Sequence, residues 1–375
     1  MKISYKYRLY LNQEQQQILQ NNFNFCCFLY NSALQERNDY YNKFKKSLSY
    51  NSQSAELPAV KEEFALQTQS IYSQSLQQVL KRLDSSYKNF FRRVKSKADK
   101  VGFPRFKSGD RFKSIVFPQS DLTGFGVKLL ANQKLKIFGL PGEIKVNWHR
   151  PYQGQIKQVI LKRQGDKFYI ILSCDEVPLE LNPKTDKIIA LDLGLNSFAI
   201  TDDGTKFHHP KPYKTALEKL AYLNKNLAAK QQGSRNRRRA KSALTKAYQK
   251  ITDIRSDFLH KLSNKLIKEN DQIIIEKLNI KPMLEAKGFE VKKSNIQDAS
   301  WARFASQLVY KAERAGRLII EVNPANTSKM CSRCNNIKEL SLKDREYHCE
   351  FCKLAMDRDH NAALNIRRLG TSLAI

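Results

Sequence analysis

The sequence is poor in acidic residues. Asp and Glu number 36 against 66 Lys and Arg, which leaves a formal charge of +30 over 375 residues. A compact protein with this imbalance repels itself unless a polyanion neutralises it. Nucleic acid is the natural partner, because each neutralised phosphate releases condensed counterions. Charge alone does not separate an enzyme from a ribosome-associated or otherwise generic basic protein.

Long apolar runs are also missing. No segment approaches the ~18 uninterrupted apolar residues of a membrane-spanning helix, and the first residues, MKISYKYRLYLNQEQ, have no apolar signal-peptide core. The seven cysteines are odd in number and include tight CxxC pairs, which argues against a disulfide framework. We therefore expect a soluble, cytoplasmic protein in a reducing compartment, with no membrane partner.

The first hundred residues combine one strand with helices. Residues 2–10 alternate as a strand does, and Asn12 is positioned to cap the helix that follows. The helical pattern continues to about residue 95. Within it, Leu76, Leu80 and Leu83 share one helix face, which indicates core packing.

A basic and aromatic segment closes this helical region. From Lys81 to Lys113, twelve Lys and Arg are interleaved with aromatic residues, a composition suited to phosphate contact and base stacking. A solvated, charged face over a core is the alternative. The stretch GFPRFKS, 102–108, carries turn signals and is predicted to be a connection, with Arg105 and Lys107 as candidate nucleic-acid contacts.

Residues 114–186 are rich in short β-strand patterns such as KLKIFGL and FYIILSC, separated by Gly, Pro and Asn. This texture predicts a small barrel or sandwich. Its sheet could include the strand at residues 2–10, which would make the domain discontinuous in sequence. Pro183 and Lys184 mark its end.

The C-terminal half alternates strands and helices. Between Lys230 and Lys246 there are seven Lys and Arg and no acid, so a polyanion is needed to relieve the repulsion along that helix. Four arginines in this stretch are candidate nucleic-acid contacts: Arg235, Arg237, Arg238 and Arg239. The predicted elements are strands at 188–195, before 201–204, at 272–278 and at 317–322, and helices at 213–268, 299–315 and 360–369.

Two CxxC pairs separated by fourteen residues predict a structural metal site. The four residues are Cys331, Cys334, Cys349 and Cys352. Two such turns complete a tetrahedral shell of four thiolates, which suits Zn²⁺ and leaves no open position. Redox-active pairs are the alternative. Asn335 and Lys353 stand where a Gly often follows the second cysteine, so the turns are expected to be slightly strained.

Three carboxylates are candidates for a catalytic metal site. Asp192 and Glu276 end apolar strands, and Asp359 begins the last helix. Buried charges of one sign are costly, and a cation could join them. The order of elements is that of an RNase H-like fold, in which two Mg²⁺ ions activate water for phosphodiester hydrolysis. Singly, Asp192 could cap the turn after its strand, and either Asp357 or Asp359 could be a helix cap.

The motifs IIALDLGLNSFAITDDG, IIIEKLNI, CSRC, CEFC and MDRDHNAALNIRR resemble the RuvC-type nuclease core and zinc ribbon of the TnpB family, which is related to type V CRISPR effectors. The segments SLQQVLKRLDSSYKNFF and GFPRFKS are also similar to TnpB. The resemblance implies Asp192, Glu276 and Asp359 as Mg²⁺ ligands, and Ser75 and Gln78 as DNA contacts. It thereby favours Asp359 over Asp357.

The resemblance also implies a multidomain α+β architecture, a monomeric ribonucleoprotein near the prokaryotic nucleoid, and a function. The expected domains are a strand-rich wedge barrel (1–10 and 114–185), a helical recognition domain (11–113), a RuvC-like nuclease domain (186–326 and 357–375) and a zinc ribbon (327–356). The expected function is cleavage of double-stranded DNA beside a short motif, directed by a guide RNA from the end of a transposable element. Alternatives are a DDE-type transposase and a nuclease-inactive repressor.

Overall fold

A computed structural model describes residues 1–124, 126–277, 298–340 and 344–373. The last three residues of the motif IIIEKLNI, 278–280, lie outside the described residues. The chain divides into two compact units, Met1–Pro178 and Leu179–Ile375. None of the helices in the described part has the length and apolar character that a membrane span requires.

The first unit combines an antiparallel sheet with helices. Its helices are α1 (Gln13–Phe44), α2 (Tyr50–Ala55), α3 (Leu57–Glu63), α4 (Ala65–Thr68) and α5 (Ser73–Lys95), followed by a 3-10 turn at Gly109–Arg111. Its strands are β1 (Ile3–Tyr10), β2 (Ser114–Pro118), β3 (Val127–Leu129), β4 (Leu135–Ile137), β5 (Lys145–Asn147), β6 (Gln155–Gln164) and β7 (Lys167–Asp175).

Local chemistry explains where the two long helices lie. The Asn12 side chain accepts from the Gln15 N–H at 2.8 Å, and the Gln15 side chain accepts from the Asn12 N–H at 3.0 Å. This capping box satisfies N–H groups that have no partner within α1 and confirms the predicted cap. On α5, Leu76, Leu80 and Leu83 are at most 1% exposed, so the predicted stripe is core.

The sheet of the first unit has the order β2-β6-β7-β1-β5. Strand β1 pairs antiparallel with β7 from Ile3 to Leu9 on one edge and with β5 from Arg8 to Tyr10 on the other. Tyr5 and Tyr7 on its inner face are at most 1% exposed, as the alternation of residues 2–10 predicts. The first strand of the chain therefore lies inside a sheet whose other strands begin at residue 114.

The second unit is an α/β layer structure. Its helices are α6 (Pro212–Thr215), α7 (Leu217–Ala228), α8 (Arg235–Glu269), α9 (Trp301–Ala315) and α10 (Arg358–Leu373). Its strands are β8 (Ile188–Asp192), β9 (Ala199–Thr201), β10 (Lys206–Phe207), β11 (Gln272–Glu276), β12 (Leu318–Val322), β13 (Glu346–His348) and β14 (Ala355–Asp357).

The main sheet of the second unit has the order β10-β9-β8-β11-β12. Strands β8, β11 and β12 are parallel, β9 pairs antiparallel with β8, and β10 pairs antiparallel with β9. Because side chains alternate across a strand, Ile273 and Ile275 pack with α8 and α9, whereas Ile274 packs with Ile366 of α10. Helices on both faces bury the parallel strands, which explains their continuous apolar runs.

The helical stretch predicted over 213–268 is divided among α6, α7 and α8, with its main interruption between α7 and α8. Gly233 has φ +85°, a left-handed value that glycine adopts without strain. Ser234 then accepts from the Arg237 N–H at 3.1 Å and caps α8. The pair Gly-Ser is the local signal of this break.

The boundary between the two units follows Pro178. It lies a few residues before the predicted boundary at Pro183 and Lys184. The backbone N–H of Glu180 donates to the Arg314 carbonyl at 2.9 Å, and that of Asn182 donates to the Ala315 carbonyl at 3.0 Å. These bonds tie the residues after Pro178 to the end of α9. The chain therefore joins the second unit several residues before its first strand.

Candidate functional site

Two acids stand at the carboxyl ends of neighbouring parallel strands. Asp192 is the last residue of β8 and Glu276 the last of β11, and the in-register pairing of these strands brings their ends level. Each residue is only 9% exposed. Asp359 lies in the first turn of α10. Its Oδ2 is 3.8 Å from the place where a Cβ atom would stand if Gly194 carried a side chain. The fold thus gathers three carboxylates from separate elements at one edge of the sheet.

The electrostatics of this cluster favour a bound cation. Burial raises the pKa of the Asp192 carboxyl well above its ordinary value, the charges of Glu276 and Asp359 raise it further, and Arg358 opposes the shift. Burial also raises the pKa of Glu276. Ionised carboxylates without a counter-charge are costly in such a place. A divalent cation is the charge that carboxylate oxygens hold most readily.

Asp357 and Asp359 have different environments. The N–H groups of Asp359 and His360 donate to Asp357 Oδ1 at 2.9 and 3.2 Å, and Lys206 Nζ donates to Oδ2 at 2.6 Å. Although burial acts to raise the pKa of Asp357, these donors hold it below its ordinary value. Asp357 is therefore the cap of α10. Asp359 remains available to the cluster.

Thr327, which is not among the predicted site residues, orients one of the acids. Its hydroxyl donates to Glu276 Oε1, and its carbonyl accepts from Asn365 Nδ2 at 2.9 Å. Thr327 is 1% exposed. Its hydrogen bond counteracts the effect of burial on the pKa of Glu276. The two residues are 51 positions apart, so no local pattern connects them.

Asp202, in the predicted turn TDDG, joins the elements that carry the other two acids. It is 7% exposed, and its Oδ1 accepts from the Ala190 N–H of β8 at 2.9 Å. Its Oδ2 accepts from Arg367 of α10. The hydrogen bond to β8 and the ion pair with α10 together hold the strand that ends at Asp192 beside the helix that begins near Asp359. Such supporting contacts fix the geometry of a site as much as the ligands do.

The four predicted cysteine ligands form one cluster. The Sγ atoms of Cys331 and Cys352 lie 3.5 Å apart, as do those of Cys334 and Cys349. Among the described residues, these four side chains form a group whose ligand atoms all lie within 4.8 Å of one another. Tetrahedral Zn²⁺ with bonds of about 2.3 Å needs sulfur atoms roughly 3.8 Å apart. The donor set and spacing therefore fit a metal ion.

The turns of this cluster have the backbone that their sequence suggests. Asn335 and Lys353 have φ of +64° and +60°, in the left-handed region. Their N–H groups donate to the carbonyls of Cys331 and Cys349 at 3.0 and 3.1 Å. Residues other than glycine adopt this conformation at some cost.

Two amides of α10 fasten the chain that enters the cysteine cluster. Asn361 and Asn365 are fully buried, and the Nδ2 of each donates to the Met330 carbonyl at 2.7 Å. The Asn361 Oδ1 also accepts from the Ser332 N–H at 2.9 Å. Their spacing of four residues, on one helix face, is the sequence signal that could have identified them.

The predicted nucleic-acid contacts of the first unit differ in exposure. Ser75 is 1% exposed, so its hydroxyl does not reach the surface, and Gln78 is half-buried. Arg105 is exposed. Lys107 is partly buried with its Nζ 3.8 Å from the centre of the Tyr30 ring, and burial lowers its pKa to about 8. The segment 102–108 is the predicted connection, without helix or strand.

The four arginines of α8 divide into two groups. Arg237 Nη1 donates to the carbonyls of Leu227 and Lys230 at 2.8 Å each, and so satisfies the end of α7. Three are exposed: Arg235, Arg238 and Arg239. The exposed side chains form a basic face at the start of the helix.

Several family models match the sequence. Residues 172–287 match a family described as "Probable transposase", residues 301–366 match "Cas12f1-like, TNB domain", and residues 1–46 match "Helix-turn-helix domain". In the last range the structure has β1 followed by the continuous helix α1.

Relatives match along most of their length. A protein of Streptomyces pristinaespiralis with the provisional name RNA-guided DNA endonuclease is 30% identical over 377 residues, which cover 99% of this chain and 90% of that protein. A protein of Escherichia coli K12 provisionally named RNA-guided DNA endonuclease InsQ is 30% identical over 364 residues. The match covers 92% of this chain and 86% of that protein. The fold is similar to that in the cryo-EM structure of the Cas12f1-sgRNA-target DNA complex, with a TM-score of 0.55, 17% identity, and coverage of 96% of this chain and 83% of the other.

Proposed function

Because the chain belongs to the TnpB family, we propose that it is an RNA-guided DNA endonuclease that cleaves double-stranded DNA beside a short target-adjacent motif. A guide RNA from the end of its transposable element supplies the sequence by base pairing, while the protein reads the flanking motif. The relatives are named as enzymes of this kind, which supports a nuclease.

The observation that carries the proposal is the meeting of Asp192, Glu276 and Asp359 at one sheet edge. The order β10-β9-β8-β11-β12, with β9 antiparallel to both of its neighbours, is the strand arrangement expected of an RNase H-like (RuvC) nuclease. A structural role alone gives no reason to bury Asp192 and Glu276, since burial raises the pKa of both and the neighbouring carboxylates raise that of Asp192 further. Metal binding does.

The chain's own residues would hold and orient the catalytic metal. Asp192, Glu276 and Asp359 would bind Mg²⁺, which would supply an activated water and stabilise the leaving oxygen in phosphodiester hydrolysis. Thr327 fixes the rotamer of Glu276 and favours its ionised form. Asp202 keeps β8 and α10 in place. Arg358 offsets part of the negative charge beside Asp192.

The four cysteines would hold a structural Zn²⁺, since four thiolates leave no position for substrate. We assign residues 327–356 as a zinc ribbon inserted in the nuclease domain (186–326 and 357–375). The wedge domain (1–10 and 114–185) and the recognition domain (11–113) would together cover the first unit, with residues 179–185 of the wedge domain lying in the second unit. The bonds from Asn361 and Asn365 to Met330 support a ribbon fastened to the nuclease domain.

Exposed basic side chains would hold phosphates. Arg105 in the first unit and Arg235, Arg238 and Arg239 on α8 are exposed and suit this role. Arg237 acts through the cap of α7 instead. Gln78 remains a candidate DNA contact, whereas Ser75 needs a local rearrangement to reach one.

The test is to express the protein with the native flanking DNA of its gene, wash the complex at high salt and sequence the RNA that remains bound. One discrete RNA with a constant scaffold and a variable 3′ segment is the expected result. A mixture of cellular RNA, or none, would leave only charge-driven binding. The transposase alternative, which shares the carboxylate chemistry, would then be favoured.

A further inference from the structure

The chain enters and leaves the cysteine cluster through segments that also reach the carboxylates. On the entry side, Thr327 lies four residues before Cys331, and its hydroxyl donates to Glu276 Oε1. On the exit side, Cys352 is followed seven residues later by Asp359. Strand β14 and the first turn of α10 form this short connection. The carboxylates and the thiols are therefore connected at both ends of the cysteine-containing segment.

One buried amide spans the entry side. Asn365 on α10 is fully buried, and its Nδ2 donates to two carbonyls, that of Thr327 at 2.9 Å and that of Met330 at 2.7 Å. Met330 directly precedes the first cysteine of the cluster. Its own N–H donates to the Asn326 carbonyl at 2.9 Å and closes a backbone turn. The amide therefore fixes both ends of this turn, which we call the entry turn (residues 326–332).

Bonds around the cysteine cluster hold the same turn. Tyr347 on β13 is fully buried among the cysteines, and its hydroxyl donates to the Lys329 carbonyl at 3.1 Å. The Ser332 N–H donates to Asn361 Oδ1 at 2.9 Å. These contacts need the cysteine turns to be folded, and in a small site of this kind the free energy of metal binding is also free energy of folding. Loss of the metal would therefore favour release of the entry turn.

The carboxylate side favours the same position of the entry turn. Thr327 is 1% exposed, and its hydrogen bond fixes the direction of one Glu276 oxygen, which determines where that oxygen can hold a cation. Release of the turn would let the Glu276 side chain rotate. It would also leave the buried Asn365 amide without its two acceptors, which is costly. The turn is thus an element with two arrangements, docked and released, and both groups of ligands favour the docked one.

We propose that the entry turn couples the two metal sites, so that a metal ion held by the four cysteines raises the affinity of Asp192, Glu276 and Asp359 for a divalent cation. Two sites that favour one arrangement of a shared element bind their ligands cooperatively. The expected coupling is roughly tenfold in affinity, within the usual range for such effects. Thr327 and Asn365 are thus positioning residues for the carboxylates. The proposal rests on the two metal sites of the proposed function.

The first experiment titrates the full chain with Mn²⁺, a cation that suits carboxylate ligands, and follows free Mn²⁺ by EPR. The zinc-loaded protein is compared with protein from which a chelator has removed the zinc and has then been dialysed away. Zinc removal should weaken Mn²⁺ binding roughly tenfold. Asp192→Asn should lose this binding in both forms, which assigns it to the carboxylates.

The outcomes separate the coupling from the proposed function. Mn²⁺ binding needs neither guide RNA nor cleavage, so an unchanged affinity after zinc removal would overturn the coupling and leave the proposed nuclease function untouched. Absence of Mn²⁺ binding by the wild type would contradict the carboxylate metal site and the coupling together.

Two matched variants, compared with zinc bound, separate the coupling from a general loss of folding. Asn365→Leu puts an apolar group of similar shape in place of the amide and removes the bond to Thr327, so it should weaken Mn²⁺ binding roughly tenfold. Asn361→Leu is the control. Asn361 is equally buried on the same helix and bonds the same Met330 carbonyl but not Thr327, so this variant should bind Mn²⁺ as the wild type does. Equal Mn²⁺ affinities in the two variants would overturn the proposal.

Thr327→Val interrupts the connection at its other end and preserves the shape of the side chain, so it remains informative if Asn365→Leu is unstable. Zinc removal should change the Mn²⁺ affinity of this variant by less than about threefold, against roughly tenfold for the wild type. An undiminished effect of zinc in Thr327→Val would overturn the role of the entry turn.

Discussion

Replacing Asp192 by Asn should stabilise the metal-free protein while removing a proposed catalytic ligand. Asn has nearly the same shape but no charge, so it relieves the burial and the repulsion that raise the pKa of Asp192. Each pKa unit corresponds to about 1.4 kcal/mol between the two protonation states. Since 1 kcal/mol shifts the midpoint of a unit of this size by roughly 2–4 °C, we expect a gain of at least a few degrees.

The gain should depend on pH with a definite sign. A carboxyl whose pKa is higher in the folded state binds more protons there than in the unfolded chain, so it destabilises the fold as pH rises above the unfolded value of about 4. The wild type and Asp192→Asn should therefore be similar near that pH. Their difference should grow with pH and become constant above the folded pKa.

Scanning calorimetry in EDTA measures this difference. Asp257→Asn is the control, because that carboxylate is 62% exposed and should change stability by less than about 0.5 kcal/mol. Added Mg²⁺ should raise the midpoint of the wild type and not that of Asp192→Asn. No gain near neutral pH, or an equal gain at acid pH, would refute the reasoning about this cluster.

Three further variants test the supporting contacts. Thr327→Val removes the hydrogen bond that favours the ionised form of the Glu276 carboxyl. The acidic limb of the pH profile for cleavage should therefore move to higher pH, which single-turnover rates would measure. Arg237→Ala removes hydrogen bonds to the end of α7, so it should lower the free energy of unfolding in urea titrations by roughly 1 kcal/mol. The control Arg238→Ala changes an exposed arginine. It should leave the free energy of unfolding unchanged and weaken RNA binding. Cys331→Ser with Cys349→Ser should abolish zinc retention measured by mass spectrometry and lower the melting midpoint; unchanged zinc content would contradict the ribbon assignment.

Much of the second unit could be predicted because its signals are local. Apolar runs that end in Asp192 and Glu276 indicate buried parallel strands, and parallel strands bring their carboxyl ends to one edge. The CxxC spacing likewise predicts the cysteine cluster. The sequence alone could not decide which of Asp357 and Asp359 is the helix cap, since Asp suits either position at a helix start. The hydrogen bonds to Asp357 distinguish the two.

Other features depend on contacts between distant parts of the chain. Thr327 meets Glu276 across 51 positions, and Arg367 meets Asp202 across 165, so no periodicity links them. Ser75 falls on the buried face of α5, which no motif reveals. These residues are known only once the elements are packed.

Cleavage by the purified complex tests the central claim most directly. A plasmid that carries the sequence matching the bound RNA, beside a randomised flank, is incubated with Mg²⁺ and either the wild type or Asp192→Ala, and cut ends and bound DNA are both measured. We predict double-strand cuts by the wild type beside one flanking motif, with no cuts but nearly unchanged RNA and DNA binding by Asp192→Ala. Equal cutting by the variant would contradict the assignment of the catalytic site, and absence of cutting by the wild type at a bound target would contradict the nuclease function.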